Sequence, residues 1–212
     1  SMDSLTDISD RLRTELAARS AARDAALAAS RDLTRHCSEC IRAAHRREWA
    51  SVETKLQVIS QAADALKSGV SAYPELVHSG YVQDALKETV EARANVAILR
   101  GTPLPDPSAL AVEPATYLHG LAEAATELRR TILDLLRLSD DHADEAERLL
   151  AAMDAIYDQL VTFDFPDAIT RDLRRQTDIV RGVLERTRGD LTTTLRQLRL
   201  QDALRRFEER RE

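Results

Sequence analysis

Apolar residues in this chain recur at three- and four-residue spacing almost from end to end, and no segment alternates with a period of two for long enough to build a strand. That regularity restricts the chain to helices, and proline and glycine decide where each one stops. The series Leu12, Leu16, Ala26, Leu33, Cys37, Ile41, Ala44 predicts a first helix over about Ser4 to Trp49. A second runs over about Val52 to Val70 and ends at Ser71-Ala72-Tyr73-Pro74. A third begins near Ser79 and stops at Gly101-Thr102-Pro103-Leu104-Pro105-Asp106-Pro107, where proline removes donors and restricts its predecessor. Pro114 suits the first turn of a fourth helix reaching about Leu138. Ser139-Asp140-Asp141 reads as a short connection with N-cap character before a fifth helix, about His142 to Thr162. Phe163-Asp164-Phe165-Pro166 breaks that helix. A long last helix from Asp167 is expected to kink or end near Gly189 and to resume as a frayed Arg/Glu-rich tail over residues 200–212. With no internal repeat and no shift of composition, the expectation is one all-α domain over residues 1–212, built from six or seven helices.

Composition narrows the function classes. At 212 residues and 43% hydrophobic, the chain can bury one sizeable core, and its wealth of Ala, Leu, Arg and Glu favours helix. A net charge of −6 excludes a protein that is basic all over, but not one that meets nucleic acid through local arginine clusters. No apolar run reaches the ~18–20 residues that span a bilayer, and no charged n-region with an apolar h-region opens the chain. The expected location is therefore the cytoplasm, with no membrane association. Ser1-Met2 reads as a cloning remnant ahead of the native start. Cys37 and Cys40 form a C-x-x-C inside a helical pattern with no second such pair, so they read as structural thiols in a reducing compartment rather than half a zinc site.

The polar residues that could carry chemistry are acids. Asp84, Glu88 and Glu91 stand at i, i+4 and i+7 in GYVQDALKETVEARANVAILR, on one helix face that continues through Asn95 and Ile98. Glu123 and Glu127 stand i, i+4 on the fourth helix, and Asp154 and Asp158 do so on the fifth. A metal-dependent phosphodiester hydrolase needs such a set, because hard carboxylate oxygens hold Mg²⁺ or Mn²⁺, which polarises the phosphate and acidifies a water. A solvated acidic face is the competing reading, since a helical chain with 31% charged residues has many i, i+4 acids by chance. The one E-x-x-H, Glu75 to His78, falls at a turn, whereas a di-iron bundle needs two such motifs on long helices. No nucleophile elbow, P-loop or glycine-rich phosphate cradle is present. Arginines group as Arg42, Arg46 and Arg47, as Arg129 and Arg130, and as Arg171, Arg174 and Arg175. Guanidinium forks suit phosphates, and ion pairing with neighbouring acids is the bland alternative.

Five segments, in order, resemble the translin family. ARDAALAASRDLTRHCSECIRAAHRRE is similar to the family's first helix. SGYVQDALKETVEA, with its Q-D-A-L-x-E-x-x-E-A pattern, looks like the translin-associated factor X branch. YLHGLAEAATELRR, MDAIYDQLVTFDFPDA and TDIVRGVLERTRGDL resemble the later helices, and the likeness covers roughly residues 20–192. The resemblance is to a prokaryotic or archaeal member. It implies a fold of about seven helices assembling into a hollow homo-oligomer, an octamer, with single-stranded RNA inside and bound more readily than duplex. It also implies Mg²⁺-dependent (or Mn²⁺-dependent) endoribonuclease activity, with Glu88, Glu91 and Asp158 as catalytic acids. Glu127 joins those three as a metal ligand, Glu123 falls at a variable family position, and Arg42, Arg46, Arg129 and Arg130 bind nucleic acid. Lys87-Glu88-Thr89 departs from the family by lacking the aromatic that often follows the first Glu. A second translin-like subunit is a candidate partner, since eukaryotic members divide binding and catalysis between two chains. The main rival reading is a relative that binds single-stranded RNA or DNA without cleaving it, and a second is a helical scaffold or chaperone-like partner that meets no nucleic acid.

Overall fold

The computed structural model describes residues 2–138 and 142–210, with Asp3 by its backbone alone, so the expected connection Ser139-Asp140-Asp141 lies outside the described residues. Among the described residues there are nine helices and no strand. They are α1 (Met2–His45), α2 (Trp49–Val70), α3 (Pro74–Val77), α4 (Gly80–Arg100), α5 (Pro107–Leu110), α6 (Pro114–Leu138), α7 (Ala143–Leu160), α8 (Asp167–Thr170) and α9 (Leu173–Glu209). Three of these, α3, α5 and α8, are single turns of four residues started by or next to a proline, too short to leave a periodic signal. The six long helices match the six expected from spacing.

Residues 1–92 and 93–212 cluster into two compact units, and α4 runs through the boundary as one uninterrupted helix. In the first unit, α1 turns back at Arg47, whose φ of 57° closes the corner, and α2 packs along it. Their shared core is Leu33, Cys37, Cys40 and Ile41 against Val52, Ile59, Ala63 and Leu66. The first half of α1 makes no such burial; Leu5, Ile8, Leu12 and Leu16 are all exposed.

The second unit is built on α6, α7 and α9, which pack pairwise. Its core is Leu128 and Ile132 from α6, Leu149, Met153 and Leu160 from α7, and Leu173, Val180, Leu184 and Leu191 from α9. The end of α4 is fastened here in two ways. Gly101, at φ 67°, lets Thr102 N–H reach Ala97 O at 2.9 Å, a Schellman-type stop. Arg148 of α7 donates to Ile98 O at 2.9 Å and Leu99 O at 3.3 Å, satisfying carbonyls that a helix end leaves open.

The last helix differs from expectation. It starts at Leu173 rather than Asp167, after the separate turn α8, and it does not end at Gly189 but continues to Glu209. A helical glycine costs about 1 kcal/mol, and two features outweigh it: Leu191, two residues on, is buried, and the Arg, Leu and Gln residues that follow favour helix. Beyond Leu191 the helix is mostly exposed, Leu200, Leu204 and Phe207 included.

Candidate metal centre

The acids of interest lie midway along α4. At ~100° of rotation per residue, Glu91 and Asn95 project about 60° and about 20° from Glu88, so the three share one face. Glu91 is buried, with 9% of its surface exposed, and the Glu88 side chain is 24% exposed. One carboxylate oxygen from each of Glu88, Glu91 and Glu123 lies within 4.8 Å of the others. This is the one group found among the described residues that brings three His, Cys, Asp or Glu ligand atoms to metal-binding spacing.

Like charges at this separation repel by roughly 3 kcal/mol per pair at an effective dielectric of 20. Lys87 Nζ stands 3.9 Å from Glu88 Oε1, and a part-exposed pair of that length returns at most about 1 kcal/mol. The donor set suits a hard divalent cation: several carboxylate oxygens and no sulfur or imidazole. Asn95, next along the same face, is fully buried, and both polar atoms of its carboxamide lack a partner among the described residues. These residues fit the group that the chemistry calls for.

Behind the acids sits one of the two cysteines. Thr89 donates its hydroxyl to Ala85 O, so Cys37 is left to donate to Thr89 Oγ1, 3.8 Å away. Burial pushes the Cys37 thiol up to about 12, and the charges of Glu88, Cys40 and Glu91 add to the rise. A thiol whose folded value exceeds its unfolded one stabilises the fold below the unfolded value near 9 and loses that contribution as pH climbs towards 12. Both cysteines are free and buried, which agrees with structural thiols. At pH 8 Cys37 should carry about 1,000-fold less thiolate than an ordinary thiol. A disulfide reagent should therefore leave it unmodified in the native protein and modify it promptly in denaturant. Prompt native labelling at Cys37 would overturn this account.

The comparisons follow the same lines. No protein-family model matches the chain. An uncharacterised protein of Methanocaldococcus jannaschii is 33% identical over 195 residues, spanning 91% of this chain and 85% of that protein. The crystal structure of the Archaeoglobus C3PO, a translin/Trax protein, is 32% identical, covers 87% of this chain and 95% of that one, and superposes with a TM-score of 0.79. The chain belongs to the C3PO (translin/Trax) family. The same Archaeoglobus protein, solved in complex with duplex RNA, gives a TM-score of 0.74 over the same coverage. The Nitrosomonas C3PO without ligand shares only 19% identity but has the same fold, with a TM-score of 0.76.

Within this translin-like fold, the residues singled out from sequence fall in different places. Glu88 and Glu91 come together. Glu123, set aside as variable, completes their group, whereas Glu127 and Asp158 are outside it. Glu127 is half-buried one turn further along α6, and Asp158 is exposed on α7, as Asp84 is at the start of α4. The signal for Glu123 was its i, i+4 spacing to Glu127; what spacing could not tell was which of the two meets α4's acids. Arg42, Arg46 and Arg130 are exposed, and Arg46 pairs with Glu48 at 3.2 Å. Arg129 is held by Thr187 at 3.2 Å and Asp190 at 2.8 Å. Arg129, Arg130 and Arg137 line one open groove of about 690 Å³ along α6. Glu75 of the lone E-x-x-H pairs with Arg19 at 2.5 Å on the short α3. No helix is long and apolar enough to cross a membrane among the described residues.

Proposed function

We propose that this protein is a metal-dependent endoribonuclease of the C3PO type. Glu88, Glu91 and Glu123 hold a Mg²⁺ or Mn²⁺ ion, and RNA is cut at internal phosphodiesters. The observation that carries the reading is the three-acid group, on a chain whose family includes a relative solved with RNA. A bound cation of this kind supplies Lewis-acid polarisation of a phosphoryl oxygen and an acidified water.

The chain's own residues do the rest. The carboxyl groups of Glu88, Glu91 and Glu123 would hold the cation against α4. Asp158, exposed and outside the trio, is assigned to orienting the attacking group rather than to holding the cation. The arginines of the α6 groove anchor flanking phosphates; Arg129 is already oriented by Asp190, and Arg130 is exposed. Aromatics make up only 4% of the chain, which argues against base-stacking platforms and for backbone-directed binding with little sequence preference.

Substrate choice follows from geometry. Duplex RNA in complex with the Archaeoglobus relative means that a stiff A-form helix is no bar to binding in this fold. The preference for single strands therefore belongs to the cleavage step. In-line displacement needs the attacking group, phosphorus and leaving oxygen aligned, and a flexible strand can rotate into that alignment where a paired one is held.

End-labelled RNA incubated with Mg²⁺, Mn²⁺ or chelator tests this. Cleavage should require the cation and be faster on single strands, and binding should weaken with salt by about 0.7 log units per phosphate contacted for each log unit of salt. Intact RNA under all conditions would leave an RNA-binding relative without turnover. Working in the cytoplasm as a homo-octamer belongs to the same proposal, and a mixed assembly with a second translin-like subunit is its alternative. The exposed apolar residues Leu5, Ile8, Leu12 and Leu16 on α1 and Leu200, Leu204 and Phe207 on α9 support assembly. Light scattering should give eight times the 23.7 kDa chain mass, and a stable monomer at micromolar concentration would count against it.

A further inference from the structure

We propose that the side-chain oxygen of Asn95 is a further donor to the cation held by Glu88, Glu91 and Glu123, an inference that rests on the metal-site reading above. Three observations meet at this residue. Asn95 is fully buried, yet neither its Oδ1 nor its Nδ2 has a partner among the described residues. Leaving such an amide unsatisfied costs about 1–3 kcal/mol, and an apolar residue of similar size would cost nothing comparable. Some function outweighs that cost. Second, Asn95 lies on the acid-bearing face of α4, angularly between Glu88 and Glu91. Third, it stands four residues beyond Glu91, the i, i+4 spacing at which two helical side chains can reach one ion. Side chains on a helix lean toward its N-terminus, so Asn95 leans back toward Glu91 rather than away from it.

The chemistry agrees. A carboxamide oxygen is a neutral hard donor of the kind that Mg²⁺, Mn²⁺ and Ca²⁺ accept beside carboxylates. It adds a ligand without a further negative charge, at a point where three carboxylates already repel one another. Its Nδ2 remains free to donate to a carboxylate oxygen or to a substrate phosphate.

The test is Mn²⁺ titration of chelator-stripped protein, read by calorimetry and by the rise in melting temperature on adding Mn²⁺, with no RNA present. Asn95→Leu should melt higher than the parent without metal, because an orphaned amide has been removed. It should bind Mn²⁺ about 10-fold more weakly and gain less melting temperature from it. Asn95→Asp should melt lower without metal, because a charge has been buried. Added Mn²⁺ should restore it by more than it raises the parent. If Asn95→Leu binds Mn²⁺ as tightly as the parent, or Asn95→Asp gains no more from Mn²⁺ than Asn95→Leu does, Asn95 holds only a buried water and the inference fails while the metal site stands. If the parent itself binds no Mn²⁺, the metal-site reading fails and takes this inference with it. Should Asn95→Leu not fold, the Asn95→Asp arm decides alone by comparison with the parent.

Discussion

Replacing Glu91 by glutamine is expected to lower the rate of RNA cleavage by about 1,000-fold or more. Glutamine keeps the size and shape of the side chain and removes only its charge, so the change isolates the electrostatics of the group. Glu91 is the most buried of the three acids, and its oxygen lies within 4.8 Å of those of Glu88 and Glu123. If the trio acts together on one ion as proposed, taking one carboxylate costs nearly as much as taking two. Glu91→Gln and the double variant Glu88→Gln/Glu91→Gln should therefore have similar residual rates. RNA affinity should hold or tighten, because negative charge near phosphate has been removed. The metal-free protein should stay folded, since glutamine keeps the side-chain volume and no cavity opens. Single-turnover cleavage, RNA binding and thermal melts on the same preparation separate these effects. Cleavage at the parent rate by an intact Glu91→Gln assembly would sink the site assignment.

The fold was legible in the sequence wherever a local rule sets an element's end. α6 runs from Pro114 to Leu138 as expected, because proline at the first helical position and the loss of periodicity at the other end are local signals. α4 stops where Gly101 can take a positive φ. The continuation of the helix past Gly189 has the opposite cause. Glycine is a weak breaker, and burial of Leu191 against the other helices of its unit outweighs it, a contact that no window of sequence contains. The single turns α3 and α5 read as loops because four residues cannot display a 3.6-residue period, and α8 reads as the start of the last helix, from which the corner at Arg171 and Asp172 separates it. The α8–α9 corner is turned by Arg171 and Asp172, both at positive φ, and by an Arg171 hydrogen bond to the Thr116 hydroxyl. Arginine does not announce a left-handed corner, and aspartate, though it tolerates one, does so only weakly.

The candidate site divides along the same line. Glu88 and Glu91 were legible because i, i+3 on one helix fixes their distance before any tertiary structure exists. The proximity of Glu123 to them was not, because it comes from another helix, and each of α6 and α7 offers two acids one turn apart. Resemblance favoured Asp158 and Glu127, whereas distance favours Glu123. The burial of Asn95 was equally out of reach: on paper it is one polar residue on a helix face, and only packing turns it into an unsatisfied amide.

Glu123 and Asp158 are therefore the pair of variants that separates holding the cation from using it. Glu123→Gln should behave like Glu91→Gln, losing cleavage by a similar ~1,000-fold and weakening Mn²⁺ binding by at least ~10-fold. Its oxygen is one of the three within 4.8 Å, so in the proposed site its charge would act on the cation directly. Asp158→Asn should also lose cleavage, but Mn²⁺ affinity should stay within about threefold of the parent, because Asp158 is exposed on α7 and outside the trio. An acid that orients the attacking group lowers the barrier to reaction without strengthening the resting complex. Isothermal titration with Mn²⁺ beside single-turnover cleavage reads both quantities for each variant. If Asp158→Asn loses Mn²⁺ as Glu91→Gln does while Glu123→Gln retains it, the cation is held by the acids that resemblance named, and the three-acid group of α4 and α6 is not the site of reaction.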